Sequence, residues 1–579
     1  VDLFARVAGL DDITAAQHAV VTNVVELCGL LPLAIRISAS LLHSRPHWTL
    51  ETMRDRLLDE RGRLRQLESG DVNVSAAFAI SYHDLDAEAR RVFRVLGLFP
   101  GRDFGAAAIA ALANRPLAVV EDLLDELFAA NLVLASEPDR FGLHDLLRQF
   151  AVEAAQREES PSSRERARTR LLTWYRYMAY SAVIAVYQTQ PLLPEPPAVP
   201  STEVITFVDA AQGSVWGTTE HRNVLQVVKD GLRHGLVTEA WQVVAAFDRF
   251  FESSQHQDEQ IAIISSLLPL LRESGHAVAE ATLLRQLGIA LVMTARSDEG
   301  IAAFTRGRDI WRELGEHAKE AAATDNLGIT YYRTGRYEQA LRLHREAIAL
   351  ARRVDALQEE ATAAMNCANT LDSLGDIDEA IVHAEHAREL FSRTGAWHSR
   401  VMATNNLGYL RRRIGDHFSA LALHQEVLAQ YQRANVLDSS VSAHINVGDD
   451  YRILGRLDDA RRHHEEAVGL SRSDGDQTRV AAALRSLGLT QTACGDHREA
   501  AENLHEAMRI AERHEDPLSL AEACCGLGDV LTELGETARA RHHWHRAAEL
   551  FSTMDMPEAE EVRRRLTAHE SDAARDATL

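Results

Sequence analysis

Lysine is almost missing from this chain of 579 residues: of its 62 basic residues only Lys229 and Lys319 are lysines, and neither follows a glycine. A Walker A loop requires Gly-Lys followed by Ser or Thr, because the lysine pairs with nucleotide phosphates. The chain therefore carries no phosphate-binding loop of this kind. No serine or cysteine nucleophile is marked by a flanking motif, so we expect no catalytic residues.

Cysteine is also scarce, and long apolar runs are missing. The five cysteines show no CxxC spacing, which argues against a disulfide framework and a zinc site. The longest apolar run, Met178 to Tyr187, is far shorter than the roughly 20 residues that span a membrane, and no signal-peptide pattern is present. We expect a cytoplasmic protein that binds no metal and does not cross a membrane.

Positive charge is in deficit as well. The formal net charge is -23, and such a charge repels nucleic acid and anionic membranes, so we expect no direct contact with DNA. A chain of this length is too long for one core and predicts three or more domains. Because it opens with Val-Asp-Leu-Phe rather than Met, we expect it to be part of a longer protein.

What the sequence has in abundance is a 40-residue repeat. Three registers of small residues keep this period, and small residues at such positions let two helices approach and permit a turn between them. The registers are Gly288, Gly328, Ala368, Gly408, Gly448, Gly488 and Gly528; Gly335, Gly375, Gly415, Gly455, Gly495 and Gly535; and Ala340, Ala380, Ala420, Ala460, Ala500 and Ala540.

The spacing of these positions resembles the tetratricopeptide repeat (TPR), with longer helices in each unit. The resemblance implies a mainly all-α fold in which hairpins form a right-handed superhelix. We count seven hairpins between Ala277 and Phe551, and a charged capping helix around Pro557 to His569 completes an array over 277–569. Residues 570–579 are polar, and we expect them to be disordered.

A TPR superhelix has a concave groove, lined mainly by the first helix of each hairpin, that resembles peptide-binding sites. One position of that helix holds asparagine in four successive hairpins, and a ladder of amides can hold an extended peptide backbone. Alternatively, the amides bond neighbouring helices within the stack. The predicted groove residues are Asn326, Asn366, Asn406 and Asn446, and, three residues further on, Asn369, Tyr409, Asp449 and Asp529.

Histidine is frequent, and the clusters His463-His464 and His542-His543-Trp544-His545 invite comparison with metal sites. Adjacent helical residues point about 100° apart and do not converge on one ion. One repeat position is also shared by His344, His424 and His464. This periodicity predicts a packing role in the second helix of the hairpin.

Upstream of the repeats, the segment Gly-Leu-Leu-Pro-Leu-Ala (29–34) lies between two amphipathic helices, with Pro32 at a helix start. It resembles the Gly-Leu-Pro-Leu-Ala motif of NB-ARC proteins, which are nucleotide switches of the STAND ATPase class, although Leu30 stands where a second glycine is common. The resemblance implies that residues 1–75 form the helical end of an NB-ARC domain. It also implies that Pro32 abuts the adenine of bound ADP or ATP.

Residues 80–155 show the pattern of a winged-helix domain. The predicted helices are Asp86 to Leu96, Ala106 to Asn114 and Pro116 to Asn131, and the predicted strands are Leu132 to Leu134 and Arg140 to Leu143. The third helix carries four acidic residues and no basic one, so DNA phosphates would repel it. We therefore expect an internal structural module rather than a DNA-binding domain.

The wing is followed by Leu143-His144-Asp145 at the start of a helix. In NB-ARC proteins a Met-His-Asp motif ends the winged helix, and its histidine reaches the β-phosphate of ADP. The resemblance implies a nucleotide-sensing role for His144, with Asp145 as its orienting partner. The simpler alternative is that Asp145 supplies a favourable negative charge at a helix N-terminus.

Residues 160–275 are predicted to be helical, apart from an extended proline-rich loop over 190–200. Within them Trp216, Glu220 and Asn223 show a Trp-x3-Glu-x2-Asn spacing. This spacing is similar to the junction between winged helix and TPR array in SARP-type regulators. The whole chain thus resembles the C-terminal part of such a regulator.

This order of motifs leads to a first hypothesis: the chain is the regulatory, signal-sensing part of a STAND-type transcriptional regulator. It would bind a protein or peptide in the groove and contact its own upstream NTPase domain. That domain, not this chain alone, would hold ADP or ATP, and oligomerisation on activation stays open. The alternatives are the sensor of a bacterial defence STAND protein with an enzymatic effector, and a plain TPR scaffold.

Overall fold

The computed structural model describes the chain except for residues 11–13, 29, 31, 67–71, 138, 188–192, 194–195, 254–255, 435, 555 and 577–579. The described residues form two compact units, Val1–Leu314 and Gly315–Leu579. Helices dominate both units, which confirms the mainly α-helical fold class. Within the described ranges, no helix combines the length and the apolar character that crossing a bilayer requires.

The first unit begins with five helices. They are α1 (Asp2–Ala8), α2 (Ala15–Leu27), α3 (Pro32–Ser44), α4 (Leu50–Gln66) and α5 (Val72–Asp84). A capping box starts α2, because the Thr14 side chain accepts from the Gln17 amide and the Gln17 side chain accepts from the Thr14 amide. Phe4, Val24 and Ile37 are fully buried, so this segment has an apolar core.

A winged-helix arrangement follows. Its elements are α6 (Ala87–Leu96), β1 (Asp103–Gly105), α7 (Ala106–Ala113), α8 (Leu117–Ala129), β2 (Leu134–Glu137), β3 (Arg140–Gly142) and α9 (Asp145–Glu158). The strands form one antiparallel sheet in the order β1-β3-β2. The predicted helices lie where expected, and β1 is an addition because three residues are too short for a periodic signal. The wing begins at Leu134 rather than Leu132, because the Leu132 amide still donates to the Leu127 carbonyl oxygen of α8 at 2.9 Å.

Aromatic rings join α5 to this domain. The Phe150 ring of α9 lies 5.8 Å from Tyr82 and 6.1 Å from Phe93 between ring centroids. The Tyr82 hydroxyl donates to Glu158 Oε2 at 2.7 Å and accepts from Arg94 at 2.7 Å. A buried tyrosine thereby keeps its hydroxyl bonded while its ring packs in the core.

Seven more helices complete the first unit. They are α10 (Pro161–Tyr187), α11 (Ala210–Arg233), α12 (Val237–Ala246), α13 (Asp248–Ser253), α14 (Gln257–Glu273), α15 (Ala277–Met293) and α16 (Ser297–Glu313). The last two form the first repeat hairpin. Residues 190–192 and 194–195 of the predicted proline-rich loop lie outside the described residues.

The second unit consists of six repeat hairpins and a final helix. Its elements are α17 (His317–Arg333), α18 (Tyr337–Arg353), α19 (Leu357–Leu374), α20 (Ile377–Thr394), α21 (Trp397–Arg413), α22 (His417–Ala434), α23 (Leu437–Ile453), α24 (Leu457–Asp474), α25 (Gln477–Cys494), α26 (His497–Arg513), α27 (Pro517–Glu533), α28 (Thr537–Thr553) and α29 (Glu558–Asp576). With α15 and α16 the described chain contains the seven predicted hairpins. Because α29 continues to Asp576, it differs from the disorder expected over 570–579. That segment holds Ala573 and Ala574 and no glycine or proline, a composition that favours helix.

The registers of small residues have separate structural roles. Every glycine from Gly335 to Gly535 in the second register adopts a positive φ, between 73° and 89°, at the turn inside its hairpin. Side chains other than glycine rarely adopt this conformation. The alanines of the third register, Ala340 to Ala540, are all fully buried between helices.

The first register lies against a large side chain of the second helix, 16 residues later. A methyl group on Gly328 would be 2.5 Å from His344 Cε1, and one on Gly448 would be 2.4 Å from His464 Nε2. The pairs are Gly288–Phe304, Gly328–His344, Gly408–His424, Gly448–His464, Gly488–Leu504 and Gly528–Trp544. Ala368 is the exception, and the corresponding later position holds the small Ala384. At this position the space between the two helices of a hairpin is filled either by one large side chain opposite a glycine or by two small side chains.

Candidate functional site

The asparagine ladder of the groove is bonded within the protein. Asn366 donates to Asp325 Oδ2 at 2.8 Å, Asn406 to Asn369 Oδ1 at 2.6 Å, and Asn446 to Asn405 Oδ1 at 2.9 Å. Each bond joins the first helices of two successive hairpins. The partners are side chains of neighbouring first helices, so three of the four ladder amides hold the stack together.

The asparagine amides can form further hydrogen bonds beyond these, since a carboxamide has two N–H groups and an oxygen with two acceptor positions. Four of the predicted groove residues line one cavity of about 450 Å³ between α19, α21 and α23. Those four are Asn369, Asn406, Tyr409 and Asn446. The other lining residues are Met365, Met402, Asn405, Val427, Tyr431, Ser439, Ser442 and Ala443.

The described lining of this cavity is uncharged. Charged residues make up 25% of the chain, yet none of the twelve described residues that line the cavity is charged. Tyr409 is 46% exposed and Met402 is 47% exposed, so an aromatic ring and a thioether face the open side. These residues can offer amide and hydroxyl hydrogen bonds beside apolar contact.

The remaining predicted groove residues lie elsewhere. Asn326 and Asn366 do not line this cavity. Asp449 accepts from Arg452 at 3.3 Å, and Asp529 accepts from Trp544 Nε1 at 3.1 Å and from Arg565 of α29 at 2.8 Å. The capping helix thus engages Asp529, which we had placed among the ligand-binding residues.

Two buried pairs of a histidine and a carboxylate were missed in the sequence. His344 Nδ1 lies 2.7 Å from Asp325 Oδ1, and the other oxygen of this carboxylate accepts from Asn366. His424 Nδ1 lies 2.5 Å from Asp450 Oδ2, and Arg412 Nε donates to Asp450 Oδ1 at 2.6 Å. A signal was present for Asp450: the same repeat position holds Thr330, Thr370, Leu410 and Thr490, so a buried carboxylate there needs partners.

The repeated histidines are core residues, as their shared position predicts. The side chains of His344, His424 and His464 are at most 1% exposed. His464 Nδ1 contacts Thr490 Oγ1 at 2.9 Å, and its Nε2 contacts the Ile445 carbonyl oxygen at 3.3 Å. Burial lowers the pKa of His464 to about 4, against smaller opposite effects of Asp449 and the Ile445 carbonyl; Arg452 and His463 add to the lowering.

A pH dependence of stability follows from these buried histidines. Burial also lowers the pKa of His444 and His543 to about 4. Between this value and about 6.5, the pKa of an unfolded histidine, the unfolded chain binds more protons than the folded one. The stabilisation from neutral histidine is therefore present above about pH 6.5 and is lost progressively as the pH falls towards 4. We expect the urea midpoint of the second unit to decrease from pH 7 to pH 5.

The variant His464→Leu tests whether the buried histidines cause this pH dependence. Leucine should fit at position 464, because Leu504 occupies the same position in a later repeat. Urea unfolding at several pH values should show a pH slope reduced by up to one proton relative to the wild type. The exposed His514→Leu serves as the control and should keep the wild-type slope. An unchanged slope in His464→Leu would contradict the assignment, whatever its absolute stability.

The wing meets α11 through a buried polar network at the predicted junction. Arg140 of β3 donates to Glu220 Oε1 at 2.5 Å and to Asp103 Oδ1 through its Nε at 2.7 Å. Glu220 Oε2 accepts from the Tyr175 hydroxyl at 2.6 Å and from Asn223 at 2.8 Å. Burial, with Glu220 next in effect, raises the pKa of Tyr175 well above its usual value.

Asn223 completes this junction. Its amide also donates to the Asp103 carbonyl oxygen at 3.0 Å. A methyl group on Gly101 would lie only 2.1 Å from Asn223 Oδ1, so the loop before β1 can approach only because it has glycine there. Glu220 and Asn223 thus connect the wing to the helices that follow it, while Trp216 packs beside Tyr175 at 6.4 Å between ring centroids.

The residues predicted to contact nucleotide are found at helix starts. Pro32 is the first residue of α3 and is exposed, while Gly29 and Leu31 of its motif lie outside the described residues. Leu30 adopts a φ of 60°. Asn131, which follows α8, accepts from Arg36 at 3.3 Å and donates to Ser40 at 3.0 Å, so α3 is attached to the winged helix.

His144 is the N-cap of α9, where its Nδ1 accepts from the Leu146 amide at 3.3 Å. Asp145 is the first helical residue, and both side chains are exposed. In this arrangement the pair caps the helix and complements its dipole. The four acidic residues of α8, Glu121, Asp122, Asp125 and Glu126, are exposed as well, so the helix that would enter a DNA groove is negatively charged.

Comparison with known families identifies the repeats. The family model described as tetratricopeptide repeat matches residues 279–353, 359–433 and 438–513, which confirms the TPR prediction. A crystal structure of a STAND protein with a tetratricopeptide repeat sensor, from Pyrococcus horikoshii, has a TM-score of 0.57 and 14% identity. The match covers 92% of this chain and 74% of that one, and at this identity it shows a likeness of fold.

Two curated relatives bear the same description. Regulatory protein AfsR of Streptomyces griseus is 43% identical over 174 residues, which cover 30% of this chain and 18% of the relative. Regulatory protein AfsR of Streptomyces coelicolor is 35% identical over 269 residues, which cover 45% of this chain and 27% of the relative. The chain matches less than a third of the length of these relatives. These similarities confirm the resemblance to SARP-type regulators.

Proposed function

We propose that this chain, with its TPR array and its similarity to AfsR regulatory proteins, is the signal-sensing portion of a STAND-type transcriptional regulator. The observation that carries the proposal is the neutral cavity between α19, α21 and α23. Of the eight groove residues predicted from the repeat, four line it. Its bound signal would be a protein or peptide segment in extended conformation, whose backbone the amides of Asn369, Asn406 and Asn446 bond.

The ladder bonds support this role because they orient the amides before a ligand arrives. Asn406 donates to Asn369, and an amide that is already positioned loses little conformational entropy on binding. An uncharged segment with an apolar side chain fits best, since Met402 and Tyr409 offer apolar surface and the described lining residues carry no charge. The regulator would act in the cytoplasm and contact DNA through another part of the protein.

Selection from a random peptide phage library on the immobilised chain tests the proposal. We expect the selected peptides to be uncharged in their shared segment, and we expect Asn406→Ala and Tyr409→Ala each to weaken their binding about tenfold. Isothermal titration with the synthetic peptides measures this. Asn326→Ala is the matched control, since it has the same repeat position outside the cavity, and it should bind as the wild type does.

Salt provides a second readout of the same experiment. Binding to a cavity without charges should change little between about 50 and 300 mM NaCl, because screening acts on charged pairs. Selected peptides rich in acidic or basic residues, with affinity that falls as salt rises, would show that another surface binds them. Equal affinity of Asn406→Ala and the wild type would also exclude this cavity.

The nucleotide-sensing role of Pro32, His144 and Asp145 is a separate part of the proposal. The exposed position of His144 at the start of α9 supports it, since an imidazole there is accessible to a phosphate group. In the complete regulator with its NTPase domain, we expect His144→Ala to lower the amount of ADP that co-purifies and to raise basal activity. Nucleotide content measured by chromatography decides this, and wild-type ADP occupancy in the variant would defeat it.

A further inference from the structure

Three side chains with metal-ligating atoms meet between α11 and α14 in the first unit. His221 lies on α11, His256 is the N-cap of α14, and Glu259 is in its first turn. His221 Nε2 and His256 Nδ1 lie 3.6 Å and 3.7 Å from Glu259 Oε2. One ligand atom from each residue lies within 4.8 Å of the other two.

These separations are too long for hydrogen bonds but suit a shared ion. Zinc takes nitrogen and carboxylate oxygen ligands at about 2.0–2.2 Å, so two ligands at a tetrahedral angle are about 3.4 Å apart. The observed distances exceed this value by a few tenths of an ångström. Two imidazoles and a carboxylate also form a donor set that favours zinc or a similar divalent transition metal over calcium or magnesium.

His221 provides an independent indication. Its side chain is 7% exposed, and its Nε2 is buried without a hydrogen-bond partner in the described part of the chain. A buried polar atom of this kind requires an explanation.

His221 is packed against aromatic rings, whereas the side chains of His256 and Glu259 are exposed and can change conformation. The rings of Phe247 and Phe251 lie 6.2 Å and 5.7 Å from the His221 ring between centroids. The His256 and Glu259 side chains are 44% and 50% exposed, and His256 does not cap α14 with its side chain. The His221 and His256 rings are stacked, with 4.0 Å between their centroids. To bind the same ion as His221, the exposed His256 ring must turn until its in-plane nitrogen lone pair points at that ion.

We propose that His221, His256 and Glu259 form a binding site for one divalent transition metal ion of the zinc type, with water as the fourth ligand. The ion would connect α14 to α11, the helix that also carries Glu220 and Asn223 of the wing junction. It would stabilise the folded first unit, because an ion that binds the native state shifts the folding equilibrium. Its role is structural, and it is independent of ligand binding in the repeats.

Titration of the chelator-treated full chain with zinc chloride tests this site. We expect one high-affinity zinc ion per chain by isothermal titration calorimetry, together with a higher thermal midpoint of the first unit. His256→Ala and Glu259→Ala change exposed side chains, so both variants should fold, as circular dichroism will check. Each should weaken zinc binding at least tenfold and remove the thermal shift, because each loses a direct ligand.

His276→Ala is the matched control, since His276 is the exposed N-cap of α15 as His256 is of α14. It should retain both the affinity and the thermal shift. Cobalt replacing zinc adds a spectroscopic readout, a visible absorption that His256→Ala should abolish. The proposal is overturned if micromolar zinc does not bind, or if the two ligand variants bind it as the control does.

Discussion

Replacing Glu220 by alanine is expected to open the junction between the wing and α11, at a cost of about 3 kcal/mol. The carboxylate accepts from Arg140, Tyr175 and Asn223, and the side chains of Arg140 and Glu220 are only 13% and 6% exposed. Without Glu220, the largely buried Arg140 guanidinium loses a carboxylate partner, and the Tyr175 hydroxyl and one N–H of the Asn223 amide lose an acceptor. Unpaired buried polar groups of this kind account for most of the expected loss.

Hydrogen exchange of β3 and α11, followed by mass spectrometry, measures the effect. Protection in both elements should decrease together in Glu220→Ala, and Glu220→Gln should lie between it and the wild type because an amide oxygen still accepts one bond. The exposed Glu273→Ala, on α14 of the same unit, is the control. Loss of protection in α11 alone would mean that the network does not couple the wing to the helices.

Replacing Asp450 by alanine is expected to destabilise the second unit by about 3–5 kcal/mol. Asp450 is fully buried and pairs with both Arg412 and His424. Removal of the carboxylate takes the charged partner from the Arg412 guanidinium and the Asp450 oxygen from His424 Nδ1. The loss should also reach the cavity, because Arg412 donates to the carbonyl oxygen of Asn446 at 2.9 Å and the Asn446 side chain lines it.

Urea unfolding of the second unit and titration with a selected peptide measure the two effects. Asp450→Asn retains an acceptor and should be less destabilised than Asp450→Ala. The neighbouring Asp458 is exposed, and Asp458→Ala should leave both stability and affinity close to the wild-type values. A stability of Asp450→Ala equal to that of Asp458→Ala would show that the buried pairs contribute no net stabilisation.

The repeat architecture was predictable because its signal is local. Gly335 and its counterparts predict turns through one residue's conformational freedom, and Ala340 and its counterparts predict close helix contacts. The winged helix was visible for the same reason, except for β1, where Asp103–Gly105 is too short for a pattern. The helix over 570–576 was not predicted, because polar composition alone does not separate disorder from helix.

For the groove, the sequence predicted the types of residue involved, but it predicted only part of their spatial arrangement. Repeat spacing identified Asn406 and Asn446 as groove residues, but the internal bonds to Asn369 and Asn405 depend on side-chain conformations. Spacing also placed Asp529 in the groove, whereas Arg565, 36 residues later, pairs with it. The His221, His256 and Glu259 cluster gave no sequence signal, because its residues lie on two helices outside the regular repeat.

By itself, the sequence determined the helical hairpins, their number and period, the acidic third helix of the wing and the packing role of His344, His424 and His464. Each of these follows from spacing within one helix or one hairpin, where backbone geometry links sequence distance to spatial distance. Only the tertiary structure decided that the described lining of the groove cavity is uncharged, that Glu220 joins Arg140 across 80 residues, and that His221 faces His256 and Glu259. Such contacts depend on how separate helices and strands pack, and the spacing of residues in the sequence does not give the spatial distance between those elements.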